Sequence, residues 1–147
     1  MKKSEIIKFV NENPISYLAT VDGTIPRVRA IKIYRADENG IIFHTLNFKD
    51  LYKQLQKNPH IEMCFVDSEG KMQVRINGKA EPIEDQKLKE EIVEKRSFLK
   101  PWIQEKGWDL LKVFKVTKAK ATVWTMETNF QPKKYINLGD FTKSPED

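Results

Sequence analysis

Arg27, Arg29, Lys32, Lys49 and Lys53 crowd into a stretch that also holds the small polar residues Thr45 and Asn47. The run Thr45-Leu46-Asn47-Phe48-Lys49 leads from a strand-like segment directly into a helix-like one. A helix that starts there presents free backbone N–H groups, and with cations beside it the arrangement suits a phosphate. Lys49 and Lys53 share one helix face, while Arg27 and Arg29 project from one face of a strand. Together these four can neutralise a phosphate dianion. From charge alone, the same residues also read as solvated groups on a sheet face and a surface helix.

Other chemistries find less support. Cys64 is the only cysteine and lies in the apolar run Met63-Cys64-Phe65-Val66, where a buried, inert thiol is expected and an internal disulfide is impossible. His44 and His60 are the only histidines, and neither has a second His or Cys at ligand spacing, so no metal is expected. The net charge of +5 favours an anionic partner without choosing between phosphate and nucleic acid. With 39% hydrophobic and 32% charged residues the composition is globular, and no apolar run approaches the ~20 residues of a membrane span. Ser4, Glu5, Lys8 and Asn11 interrupt what would be a signal-peptide core, so a cytoplasmic location is expected.

The elements that must position the basic residues follow from the patterning. Ser4 is the expected N-cap of a short helix with Ile6, Ile7 and Val10 on one face, stopped near Asn13 by Pro14. Residues 15–21 read as a strand, Asp22-Gly23 as a hairpin turn, and residues 26–34 as the returning strand, with Arg27, Arg29 and Ile31 on one face. A turn at Asp37-Glu38-Asn39-Gly40 leads to a strand over 41–45. Leu51 and Leu55 mark a helix over 49–57, ended by Asn58-Pro59. Strands follow over 61–67 and 71–81, with Gly78 as a bulge or close backbone approach. A helix over 85–98 carries Leu88, Ile92 and Phe98. Trp102 and Trp108 fall in a turn-rich stretch after Pro101 as packing residues, and 113–125 is the last long strand. One domain over 1–126 is expected, with residues 127–147 as a partly mobile C-terminal extension.

Several short segments, in order, resemble the pyridoxamine 5'-phosphate oxidase family of FMN-binding split barrels. They are Tyr17-Leu18-Ala19-Thr20-Val21-Asp22-Gly23, Pro26-Arg27-Val28-Arg29, Phe43-His44-Thr45, Lys57-Asn58-Pro59 and Gln73-Val74-Arg75-Ile76-Asn77-Gly78-Lys79-Ala80-Glu81. The resemblance spans residues 7–125. It implies a mainly β fold with helices: a six-stranded antiparallel Greek-key split barrel. It also implies an FMN site shared across a homodimer. Arg29 then matches the arginine on the FMN phosphate, and Ala30, Ile31 and Lys32 belong to the segment under the flavin ring. His44 and Thr45 match a cofactor-contacting pair, Gln73 a glutamine reaching across from the other subunit, and Trp124 a tryptophan near the ring.

Two departures narrow the resemblance. Where family members carry Ser-Arg-Lys at the start of the second helix, this chain has Lys49, Asp50 and Leu51, so Lys49, helped by Lys53, is expected to replace the phosphate cation. The substrate-holding Arg-x-His segment after the tryptophan is missing, since the chain reads Glu127-Thr128-Asn129-Phe130-Gln131-Pro132-Lys133-Lys134. Vitamin-phosphate oxidation is therefore not expected. The function implied is an FMN-dependent oxidoreductase acting on a small molecule, with no side chain named as catalytic and with haem or a deazaflavin as alternative cofactors. A non-catalytic flavin or haem carrier is a second reading. A third, of another class, is a single-stranded nucleic-acid-binding barrel using Lys71, Arg75 and Lys79 beside Phe65 and Tyr34.

Overall fold

A computed structural model describes residues 1–139. A helix α1 (Lys3–Glu12) precedes the hairpin β1 (Ile15–Asp22) and β2 (Ile25–Lys32), then β3 (Arg35–Asp37) and β4 (Gly40–Leu46). Helix α2 (Asp50–Lys57) connects to β5 (His60–Val66) and β6 (Met72–Ile83). Helices α3 (Gln86–Lys95) and α4 (Lys100–Lys106) lead to the long β7 (Leu111–Thr125) and a short β8 (Ile136–Gly139). All pairings are antiparallel, in the order β2-β1-β5-β6-β7-β4-β3 with β8 added beside β7. This is the expected split barrel.

The split follows from one bend. Lys32 still pairs with Ile15 on β1, but the Ile33 and Tyr34 N–H groups donate to Pro14 O at 2.9 Å and Ile42 O at 2.8 Å, after which β3 pairs with β4. The first and last strands of the sheet are thus consecutive in sequence. The sheet rolls up until its two ends are joined by a two-residue corner, without a ladder of hydrogen bonds closing them.

Alternation fills the interior. Leu18, Phe43, Met63, Phe65, Val74, Ile76 and Phe114 are fully buried there, with Phe43 and Phe114 stacked at 5.5 Å, and α1 adds Ile6, Phe9 and Val10. The opposite face of β4 is also covered, because Ile42 packs with Ile92, Val93, Leu99, Ile103 and Leu111 beneath α3 and α4. In β7 the inward set shifts from Phe114 and Val116 to Ala119 and Ala121, since the register slips between Asn77 and Lys79. Gly78 is required at that bulge: a Cβ on it would stand 2.6 Å from the Thr117 carbonyl oxygen.

Several expectations are corrected. The sheet has eight strands rather than six, because the bend makes β3 a separate short strand and because β8 is too short to show a period. The first helix begins at Lys3, one residue before Ser4, and the Glu5 carboxylate accepts the Lys2 N–H at 3.0 Å. The helix from 85 ends at Lys95, since Arg96 leaves helical geometry, and Phe98 sits exposed on a single turn. The stretch after Pro101 is helical, with Pro101 in the first turn of α4, where a missing N–H does no harm. Cys64 is half-buried on the outer face of β5, where burial pushes its thiol pKa up and leaves it inert. Mobility of residues 140–147 lies outside the described residues. No described helix is long and apolar enough to cross a membrane.

Candidate functional site

A groove of about 1050 Å³ runs between the β1–β2 hairpin and α2. Arg27, Arg29, Ala30, Ile31, Thr45, Lys49 and Lys53, all singled out in the sequence, line it. The pairing explains why. Arg27, Arg29 and Ile31 stand opposite Thr20, Leu18 and Ser16 on the face of β2 turned toward α2. Thr45 alternates onto the same side of β4 as Ile41 and Phe43.

Arg29 is held from three directions. Its Nη1 donates to Leu18 O at 3.2 Å and Thr20 Oγ1 at 2.8 Å, and its Nη2 donates to Gln54 Oε1 at 2.5 Å. Thr20 also donates to Gln54 Oε1 at 2.6 Å. These bonds fix the guanidinium plane while using about three of its five N–H groups. Burial lowers the Arg29 pKa, partly opposed by the Asp50 carboxylate, and the group stays charged at neutral pH.

The opposite wall is the start of α2. Its N-cap, Lys49, supplies no side-chain cap, so the amides of the first turn are left for another acceptor. Lys49, Lys53 and Lys57 follow one another along the helix face over the groove, and none forms an ion pair among the described residues. Arg27, by contrast, is bound to Asp22 at 3.2 Å.

The other singled-out residues lie elsewhere. His44 points from the opposite face of β4, where Arg96 Nη1 donates to its Nε2 at 2.7 Å. Burial, reinforced by the Arg96 charge, pulls the His44 pKa down to about 4, so its ring is neutral with the proton on Nδ1. Lys32 is exposed, and its carbonyl accepts from Arg96 at 3.4 Å. Asn47 braces its loop, donating from its N–H to Leu110 O at 2.9 Å and from its amide to Asp109 O at 3.3 Å. Gln73 and Trp124 are cross-strand partners on the outer face of the sheet, away from the groove of their own chain.

Lys57, Gln54, Thr20 and Arg96 were not anticipated. Lys57 had a signal, since it continues the spacing of four from Lys49 and Lys53. The others take part only through contacts that span 9 to 64 positions. The proposed nucleic-acid platform is not assembled, because Phe65 is fully buried in the core and the Tyr34 hydroxyl is bonded to Glu91 at 2.5 Å. Among the described residues no His, Cys, Asp and Glu side chains gather to hold a metal ion.

The family model of pyridoxamine 5'-phosphate oxidase matches residues 3–127. The chain belongs to this family. A NimC/NimA family protein from Clostridium acetobutylicum has the same fold, with a TM-score of 0.73 at 23% identity, covering 91% of this chain and 90% of that one. So does a protein related to general stress protein 26, of the pyridoxine phosphate oxidase family, from the same organism (TM-score 0.67, 16% identity, 92% and 93% covered). A haem-binding protein from Mycobacterium smegmatis matches at TM-score 0.66 and 13% identity over 94% of this chain and 59% of that one. No curated protein matches the sequence.

Proposed function

We propose that this chain binds FMN, with the FMN phosphate held between β2 and α2, and that it is an oxidoreductase acting on a small molecule as a homodimer. One observation carries the reading. Arg29, Lys49, Lys53 and the uncapped amides of α2 converge on a single groove from two different elements.

The residues present fit the group. The volume is that of a small-molecule site. The donor set suits a phosphate dianion: a guanidinium fixed in its plane with N–H groups to spare, ammonium groups with no carboxylate partner among the described residues, and helix-terminal amides. Asp50 in the first helical turn works against this set and weakens it. Bound flavin would supply the redox chemistry. The chain's part is to hold the phosphate, offer the backbone edge of residues 30–32 to the ring, and leave one ring face open to a substrate.

The dimer is supported by the outer face of β1 and β2. Tyr17, Ala19 and Val21 pair with Ala30, Val28 and Pro26 there, and Val28 is 69% exposed, an uncovered apolar patch on a monomer. Gln73 and Trp124 share this face, so a second copy seated on it would carry them toward the first copy's groove.

A non-catalytic carrier is the second reading. Its support is the neutral His44, turned away from the groove, whose lining holds no histidine or cysteine to serve as a general acid or base. The absorbance spectrum of the purified protein, with and without added FMN, tests the first claim: binding in the micromolar range or tighter is expected. Failure to bind FMN, haem or a deazaflavin at high concentration overturns it. Turnover with reduced nicotinamides and varied acceptors separates enzyme from carrier, and a molecular mass that stays monomeric at every concentration removes the shared site.

A further inference from the structure

We propose that the cleft between the β4–α2 connection and α4 is a second small-molecule site, built for a planar aromatic acid. This cleft of about 700 Å³ is distinct from the phosphate groove and touches it only at Lys49. Leu46 and Leu110 provide apolar lining, and Phe48 and Trp102 stand beside it. Both rings are unusually open for their size, at 58% and 45% exposure, and Phe98, 57% exposed, meets Trp102 edge-on at 5.8 Å. Three large aromatic rings left exposed together mark a surface that gains from being covered.

The cleft is prepared in advance. Asn47 ties the loop bearing Phe48 to the chain at Asp109 and Leu110 through two hydrogen bonds. Trp102 rides on the first turn of α4. Little ordering is therefore needed when a ligand enters, which favours binding. Charge decides the class of occupant. Lys49 and Lys106 are cationic, and the one acid of the cleft, Glu105, meets Lys106 at a distant 3.9 Å with both side chains mostly exposed. Lys49 Nζ lies 5.5 Å from the Phe48 ring centre, so ring and cation present themselves together. A flat apolar ring with a carboxylate on its edge satisfies both at once.

Because Lys49 belongs to both cavities, an anion in the phosphate groove and an acid in this cleft draw on one cation and weaken each other equally. The test is titration of the full chain with 2-naphthoate, by equilibrium dialysis and tryptophan fluorescence, without flavin. Saturable binding with a Kd on the order of 1 mM or tighter is expected. The neutral 2-naphthamide should bind several-fold more weakly, and saturating inorganic phosphate should loosen 2-naphthoate several-fold. Phe48→Ala/Trp102→Ala should weaken it at least tenfold with the melting temperature unchanged, as both side chains are exposed. Absence of saturable binding, equal affinity for the amide, or equal affinity in the double variant overturns the proposal. So does a change of molecular mass in that variant, which would give the aromatic face to a second copy of the chain. If 2-naphthoate binds and FMN does not, the flavin reading alone fails.

Discussion

The groove beside α2 and the corner at residues 32–35 are both rich in arginine, yet they treat it in opposite ways. In the corner the strong donors are matched except Arg35 Nε, which is buried without a hydrogen-bond partner and only stands 3.3 Å from the Asp37 carboxylate. Arg96 serves the Lys32 and Ile33 carbonyls, His44 Nε2 and the Tyr34 ring face, while Glu91 takes both the Tyr34 hydroxyl and Arg35 at 2.7 Å. In the groove Lys49, Lys53 and Lys57 form no ion pair among the described residues, and α2 begins without a side-chain cap. The matched cluster has spent its hydrogen-bonding capacity on the fold, and the unmatched one has kept it for a ligand. Charge density alone does not distinguish the two.

Acid is expected to break the comparison most strongly, on the corner's side. His44 titrates at about 4 in the fold against its usual 6.5. The unfolded chain therefore binds the proton first. Stability is complete above pH 6.5 and falls as pH drops from about 6.5 to about 4, by on the order of 3 kcal/mol. Urea midpoints across that range should show it, and His44→Phe should flatten this part of the profile. Next in size, Arg96→Ala should cost about 2 kcal/mol of stability by the same measurement, since it strands two carbonyls and a ring nitrogen. Lys49→Ala should reverse the pattern: stability within about 0.5 kcal/mol of the parent but FMN affinity reduced about tenfold, read by flavin fluorescence. An unchanged Kd would mean that Lys49 is not the replacement phosphate cation. The smallest effect belongs to Asp50→Asn, which removes the opposing carboxylate and should tighten FMN by roughly two- to five-fold.

What could be read in advance divides along the same line. Arg27, Arg29, Thr45, Lys49 and Lys53 owe their meeting to local rules: alternation along a strand, four-residue spacing on a helix, and a strand that runs straight into that helix. The hairpin at Gly23, the stop at Asn58 and the bulge at Gly78 are equally local, because φ of +64° at Gly23 or a carbonyl 2.6 Å from a Cβ restricts the residue type directly. The corner was hidden. Arg96 and His44 are 52 positions apart, and only the docking of α3 over the bend brings them together. Local spacing placed His44 beside Thr45, but strand alternation sends neighbours to opposite faces, so the two cannot both enter the groove. α4 was obscured by Pro101, which ends a helix in its interior yet suits its first turn.

The bend at Ile33 and Tyr34 bears on how the protein survives at high concentration. By handing the chain from β1 to β4 it leaves β2 with one unpaired edge eight residues long, an opening for a foreign strand. Pro26 removes a donor from that strand, and Arg27, Arg29 and Lys32 load it with like charge. The residues that gather phosphate thus also discourage edge-to-edge aggregation, and neutralising several of them at once should cost solubility as well as ligand.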